Sequence, residues 1–307
     1  MRKRVAYITF PNNTDDTEAL SLEKKLQGLN IKFRVTTYTN NGMASDARID
    51  VYNLNRQDLG FLSTIARTYL QKNYLFRLYA GYEGEEKLLF SGRALQAIPD
   101  SYPDVILSID GMSGIEWWGE NIEVSKDKSS VMDLIDYAAS QMGYQVNIDD
   151  NLRKNNMLLN KVQDSFSFTG SPMDLLSECQ SMLGGVSSDP QTVFMSIENG
   201  QINMWSPSVP NGNKKLLISK ETGMIGLPQP TETGCRVKIL MNTGIKTGDV
   251  VEVKSERIDL LNGDYYVIGI TQEGETRGKT WYSTLTCALV SNYESNKNEQ
   301  QQQQSDI

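Results

Sequence analysis

Ile218-Ser-Lys-Glu-Thr-Gly-Met-Ile-Gly-Leu-Pro-Gln-Pro-Thr-Glu-Thr-Gly-Cys-Arg-Val-Lys-Ile-Leu-Met-Asn242 decides the fold of this chain. Two further runs complete it, Gly248-Asp-Val-Val-Glu-Val-Lys254 and Gly263-Asp-Tyr-Tyr-Val-Ile-Gly-Ile-Thr-Gln-Glu-Gly-Glu-Thr-Arg-Gly-Lys-Thr-Trp281. Apolar and polar residues alternate along Cys235–Met241, Val250–Lys254, Tyr265–Gln272 and Thr280–Leu289, as they do in strands with one buried face. Asn262-Gly263 is the dipeptide of a tight hairpin turn. Residues 216–292 therefore read as a β domain, and no catalytic constellation stands in it.

Residues 1–114 read in the same way. Ile31–Thr37 and Ala47–Asn53 alternate, and Leu75–Tyr82, Lys87–Ala97 and Val105–Asp110 supply three more strands between short turns. Asn55 is placed to cap a short helix in which Leu59, Leu62, Ile65 and Ala66 share a face.

Residues 115–215 change character. Ser130–Gly143 is a helix with a serine cap, Asp133 in the first turn and a glycine stop. Ser171–Gly184 repeats Ser, Met, Asp, Leu, Ser and Gly at the same relative positions, with Pro172 at the first helical position, where a missing N–H costs nothing. This reads as two copies of a cap–helix–Gly–strand unit; the alternative is that good helix starts resemble one another. Thr192–Ile197 and Gln201–Trp205 form a hairpin across Asn199-Gly200. The polar tail 293–307, with its glutamine run, lacks apolar anchors and is expected to be disordered. The fold class is α+β, mainly β: two β-barrel-like domains, 1–114 and 216–292, around an α/β region at 115–215 with helices near 130–142 and 171–183.

Composition narrows the function. The 307 residues, 39% hydrophobic and 22% charged, are those of a globular chain. A net charge of −8 argues against a phosphate grip on nucleic acid. Histidine is absent, which removes Ser-His-Asp and Cys-His catalysis and His-based zinc sites. Cys179, Cys235 and Cys287 are too few and too scattered for a disulfide framework or a zinc site, so a reducing compartment is expected. The apolar run after Met1-Arg-Lys-Arg4 is too short for a signal peptide, and no stretch reaches the roughly 18 apolar residues of a membrane span. The chain is expected to be made in the cytoplasm.

Several local features invite a chemical reading and have a plainer one. Gly274-Glu-Thr-Arg-Gly-Lys-Thr280 looks like a phosphate loop, but its glycine spacing is one residue short and a strand follows where a helix is needed. It reads as a hairpin connection. The acidic pairs Asp15-Asp16, Glu85-Glu86 and Asp149-Asp150 read as loop charge, since glycoside hydrolysis needs two carboxylates facing across about 5–10 Å. Trp117-Trp118 reads as a domain junction with one ring buried and the other over a seam; the alternative is an aromatic platform for sugars or a partner. Arg2-Lys3-Arg4 and Lys214-Lys215 read as solvated charge. No residue is singled out as catalytic, cofactor-binding or metal-binding.

Two groups of segments together resemble the baseplate hub proteins of contractile-tailed bacteriophages and the hub portion of type VI secretion spike proteins. One group is Ile31–Thr37, Ala47–Asn55, Leu78-Tyr-Ala-Gly-Tyr82 and Leu89-Phe-Ser-Gly92, similar to the family's opening barrel. The other is Glu221–Pro228 with Gly263–Trp281, similar to its second barrel. The resemblance implies a non-enzymatic homotrimer in which two similar barrels per subunit give a three-fold ring a pseudo-six-fold face. Such a ring adapts a hexameric tail tube to a trimeric central spike, meets the baseplate wedge proteins and lets DNA pass. It implies a place in the virion baseplate after assembly in the host cytoplasm, with any cell-wall enzyme or spike on a separate chain. The competing readings are a glycan hydrolase on a β scaffold and a carbohydrate-binding or adhesin-type module around Trp117 and Trp118.

Overall fold

A computed structural model describes residues 2–10, 24–39, 44–67, 74–100, 103–184, 192–207 and 215–290. The expected disordered tail, Asp15-Asp16 and Lys214 lie outside the described residues.

The first part comprises β1 (Arg4–Phe10), β2 (Lys24–Leu26), β3 (Ile31–Tyr38), β4 (Asp46–Tyr52), α1 (Arg56–Arg67), β5 (Leu75–Tyr82), β6 (Lys87–Asp100) and β7 (Ile106–Met112). The alternation expected for Ile31–Thr37 is present: Ile31, Phe33 and Val35 are buried, and Lys32 and Arg34 are exposed. Phe76, Leu78 and Ala80 of β5 and Ile49 and Val51 of β4 join them in one core. Asn55 caps α1 as expected, its Oδ1 accepting the Asp58 N–H at 2.8 Å.

The middle part comprises β8 (Ile122–Ser130), α2 (Val131–Met142), β9 (Gln145–Asn147), α3 (Asp150–Asn155), β10 (Val162–Gly170), α4 (Pro172–Met182), β11 (Phe194–Glu198) and β12 (Gln201–Trp205). Ser130 with Asp133, and Ser171 with Asp174, each form a complete capping box. Gly143 ends α2 in the left-handed region at φ 65°. β8 and β10 run antiparallel, and each leads directly into one of the two capped helices. α2 and α4 pack together, burying Leu134, Ile135 and Ala138 with Leu175, Leu176 and Cys179. After the helices the two units reach the same small sheet, β9 on one side of β12 and β11 on the other. Asn199 and Gly200 turn the β11–β12 hairpin at φ 55° and 76°, the paired positive values that a two-residue turn demands.

The last part comprises β13 (Leu216–Ile218), β14 (Gln229–Pro230), β15 (Gly234–Leu240), β16 (Val250–Val253), β17 (Gly263–Glu275) and β18 (Trp281–Leu289). One expectation fails here. Asn262-Gly263 is not a two-residue hairpin turn, because β16 pairs β17 through Val253 opposite Gly263, leaving residues 254–262 as the connection. Asn262 has φ −77°, outside the left-handed region. Its side chain instead clamps the connection, accepting the Ser255 N–H at 2.6 Å and donating to the Ser255 carbonyl at 3.1 Å.

The two β regions are not two closed barrels. They form one open sheet in the order β14-β15-β18-β17-β3-β4-β7-β6-β5-β1-β2, with β16 also on β17 and β13 beyond it. The reason is the length of β17. Its first residues pair β16, which is only 4 residues long, and its later residues, Gly269–Glu275, pair Lys32–Tyr38 of β3. A single strand thus joins the C-terminal β region to the N-terminal one.

Candidate functional site

The feature that bears on function is a repeat within this sheet. β4, β7, β6 and β5 are neighbours in that order, and β15, β18, β17 and β16 repeat it. β6 pairs β5 up to Arg93 opposite Leu75, and β17 pairs β16 up to Tyr266 opposite Val250. Two positions later each long strand carries a one-residue irregularity, at Leu95 between Ala94 and Gln96 and at Ile268 between Val267 and Gly269. A bulge bends a strand and increases its twist. The second half of each long strand therefore leaves its short neighbour and presents a new edge. In β17 that edge is taken by β3. In β6, among the described residues, no strand pairs the corresponding edge from Leu95 to Pro99. Leu95 and Ile98 on it are 42% and 54% exposed.

The residues singled out in the sequence fall mostly into structural roles. Trp117 ends a short 3-10 helix, Ile115–Trp117, and packs edge-to-face on Tyr144 with ring centroids 6.5 Å apart. Trp118 is 57% exposed, so the pair divides into one packed ring and one open ring. Gly274–Thr280 ends β17 at Glu275 and continues as the β17–β18 hairpin connection, residues 276–280, closed by the Glu275 N–H donating to the Thr280 carbonyl at 2.9 Å. Asp149 caps α3, its Oδ1 accepting from the N–H groups of Asn151 and Leu152. Glu85 pairs Arg2 at 3.0 Å, and Lys3 pairs Glu83 at 2.6 Å. Arg4 donates to the Gly278 carbonyl at 2.9 Å and lies over the Trp281 ring. Lys215 bridges Asp264 and Glu252. Cys179 lies in the helical core, whereas Cys235 and Cys287, far apart in sequence, face each other across β15 and β18; all three are buried and free. Burial raises the Cys179 thiol to about 12, which leaves it inert as a nucleophile.

One polar group escaped the sequence reading. A cavity of about 330 Å³ lies where the three parts of the chain meet, lined by Asn147, Glu198, Gln201, Trp205, Thr247 and Gln272 among others. The Glu198 carboxylate accepts from Ser196 Oγ at 3.0 Å and Thr247 Oγ1 at 3.2 Å, tying the β11–β12 hairpin to the loop before β16. Burial raises its pKa, and the Ser196 and Thr247 hydroxyls partly offset that. Nothing in the sequence marked it, because a glutamate beside an Asn-Gly turn reads as exposed. Asp149 also lines the cavity, but its Oδ1 is committed to the cap of α3. Among the described residues no group of three or more acidic or cysteine ligands gathers to hold a metal.

A family model described as Baseplate hub gp41 matches residues 15–287. The chain belongs to that family. Solved structures show the same fold around this hub chain. The 43 kDa tail protein of prophage MuSo2 from Shewanella oneidensis is similar at TM-score 0.61 and 9% identity, over 95% of this chain and 98% of that one. A tail protein from Neisseria meningitidis MC58 is similar at TM-score 0.62 and 9% identity, over 93% and 96%. The Escherichia coli c3393 protein, a component of the type VI secretion system with structural similarity to T4 tail proteins gp27 and gp5, is similar at TM-score 0.55 and 8% identity, over 85% and 73%. No match is found among curated proteins. The family fixes a structural baseplate role for the hub chain. Among the described residues no helix is long and apolar enough to cross a membrane.

Proposed function

We propose that three copies of this chain form the ring of a tail baseplate hub, with two β modules from each copy giving a three-fold object a pseudo-six-fold face. The observation that carries this reading is the twice-repeated strand order with its matching bulges, since two like modules per chain are what such a ring needs. Residues 1–114 and 216–292 are the modules, and 115–215 is an outer α/β part. The hexameric tail tube, the trimeric central spike and the wedge proteins are the partners, and the ring lets DNA through. A chain charge of −8 favours passage without adhesion, because like charges repel. The role is mechanical: in the junction cavity Asp149 caps α3, and Glu198 ties the β11–β12 hairpin to the loop before β16.

Light scattering of the purified chain across a concentration series, alone and with its tube and spike proteins, tests this reading. A mass of three chains supports it. A single-chain mass under every one of these conditions would sink it.

A further inference from the structure

We infer that the open second half of β6 is the seat for residues 225–230 of a second copy of this chain, docked as β3 docks on β17 within one copy. The inference rests on the trimeric reading and adds which edges meet.

The argument is one of equivalent places. β3 is the neighbour of β4 in the first module. Residues 224–230 occupy the corresponding place beside β15. Met224 bridges Ile239, the Ile225 N–H donates to the Lys238 carbonyl at 2.7 Å, and Gln229 and Pro230 pair Arg236 and Cys235. The chain thus holds the β17–β3 joint once complete, and its two halves again, unjoined. One half is the β6 edge and the other is the outer edge of 224–230, which no described strand pairs and whose first N–H, that of Met224, is already given to the Ser219 carbonyl at 2.8 Å, so the docking segment proper is 225–230. A contact between unlike edges is head-to-tail, and such contacts close into rings when the rotation fits.

Both half-joints carry exposed apolar side chains, Leu95 and Ile98 on β6 and Leu227 at 45% exposure on the other edge. α1 lies against β6, and its Leu62 shares the core with Ala94 and Ala97, yet Leu95 and Ile98 stay outside that core. Pro99, Pro228 and Pro230 lack an N–H, so the ladder between copies is short and side chains carry more of the contact than in the β17–β3 joint. Prolines on open edges also guard against pairing with the wrong strand.

The test uses the full chain carrying both Ile98→Cys and Leu227→Cys, treated with a short bismaleimide under native conditions, where Cys179, Cys235 and Cys287 are buried. Two- and three-chain products on a denaturing gel are expected. They should be missing from either single variant and from Leu260→Cys, whose side chain is 92% exposed but lies on neither edge. Ile98→Asp and Leu227→Asp, each with an unchanged circular dichroism spectrum, should reduce the solution mass from three chains to one. A three-chain mass that survives both aspartate variants, with no cross-link, would overturn this contact and leave the trimer standing. A single-chain mass in the unmodified protein, alone and with its tube and spike proteins, and no cross-link under either condition, would overturn both.

Discussion

Replacing Gly274 with alanine tests whether the two modules are locked together at the β17–β3 seam. Gly274 pairs Phe33 of β3 on one side and Trp281 of β18 on the other. The two rings meet edge-to-face over it, with centroids 5.7 Å apart. A Cβ built on Gly274 would stand 2.5 Å from Phe33 Cε1 and 2.9 Å from Trp281 Cε3, and closer still to Phe33 Cζ. Neither ring has room to retreat, since Phe33 is 3% exposed and Trp281 0%. Alanine in a strand gains about 0.5–1 kcal/mol over glycine in backbone entropy. Overpacking a tight site costs about 1–3 kcal/mol. The clash wins, and a net loss of about 1–2 kcal/mol is expected, a fall in Tm of roughly 2–8 °C for a chain of this size. Phe33→Leu removes the ring that the methyl strikes. The double variant should then lose less than the sum of the single losses, by about 1 kcal/mol or more, measured by urea unfolding followed by near-UV circular dichroism. A Gly274→Ala variant as stable as the unmodified chain, or losses that simply add, would refute the reasoning.

Ser130→Ala and Ser171→Ala should each cost about 1 kcal/mol, because each removes one capping box, and thermal unfolding will show whether both shifts are present. Glu198 has a folded pKa above its unfolded value, so its contribution to stability is present below the unfolded value of 4.5 and is lost as pH rises through the folded one. Glu198→Gln should therefore flatten the pH dependence of Tm above pH 4.5 and leave the neutral-pH protein no less stable; an unchanged pH profile would remove Glu198 as the cause. Trp117→Ala should cost about 3 kcal/mol through lost packing against Tyr144 and the helical core, whereas Trp118→Ala should stay within about 0.5 kcal/mol. Equal effects from the two on denaturant midpoints would contradict the division of the pair.

Local chemistry was legible where the residues concerned are neighbours in sequence. Ser130 with Asp133, Ser171 with Asp174, and Asn199 with Gly200 state their own geometry within a few positions, and the structure repeats it. Asn262-Gly263 shows the limit of that reasoning. The same dipeptide makes a clamp on Ser255 here, because the strand partner of Gly263 is Val253 and the intervening residues need closing. What remained hidden was long-range. Alternation marks β17 as a strand and says nothing of its having one neighbour for its first half and another for its second. Glu198 was hidden for the same reason, since Thr247, which makes it a junction residue, is 49 positions away.

The shared strand also decides how the chain bears load. β17 meets β3 through seven consecutive antiparallel pairs, Gly269 with Tyr38 to Glu275 with Lys32. Tension directed along those strands would stress all of these pairs at once, whereas tension across them would open the seam from one end like a zip. A pull along the strands therefore meets a joint that is strong until it gives way as a whole.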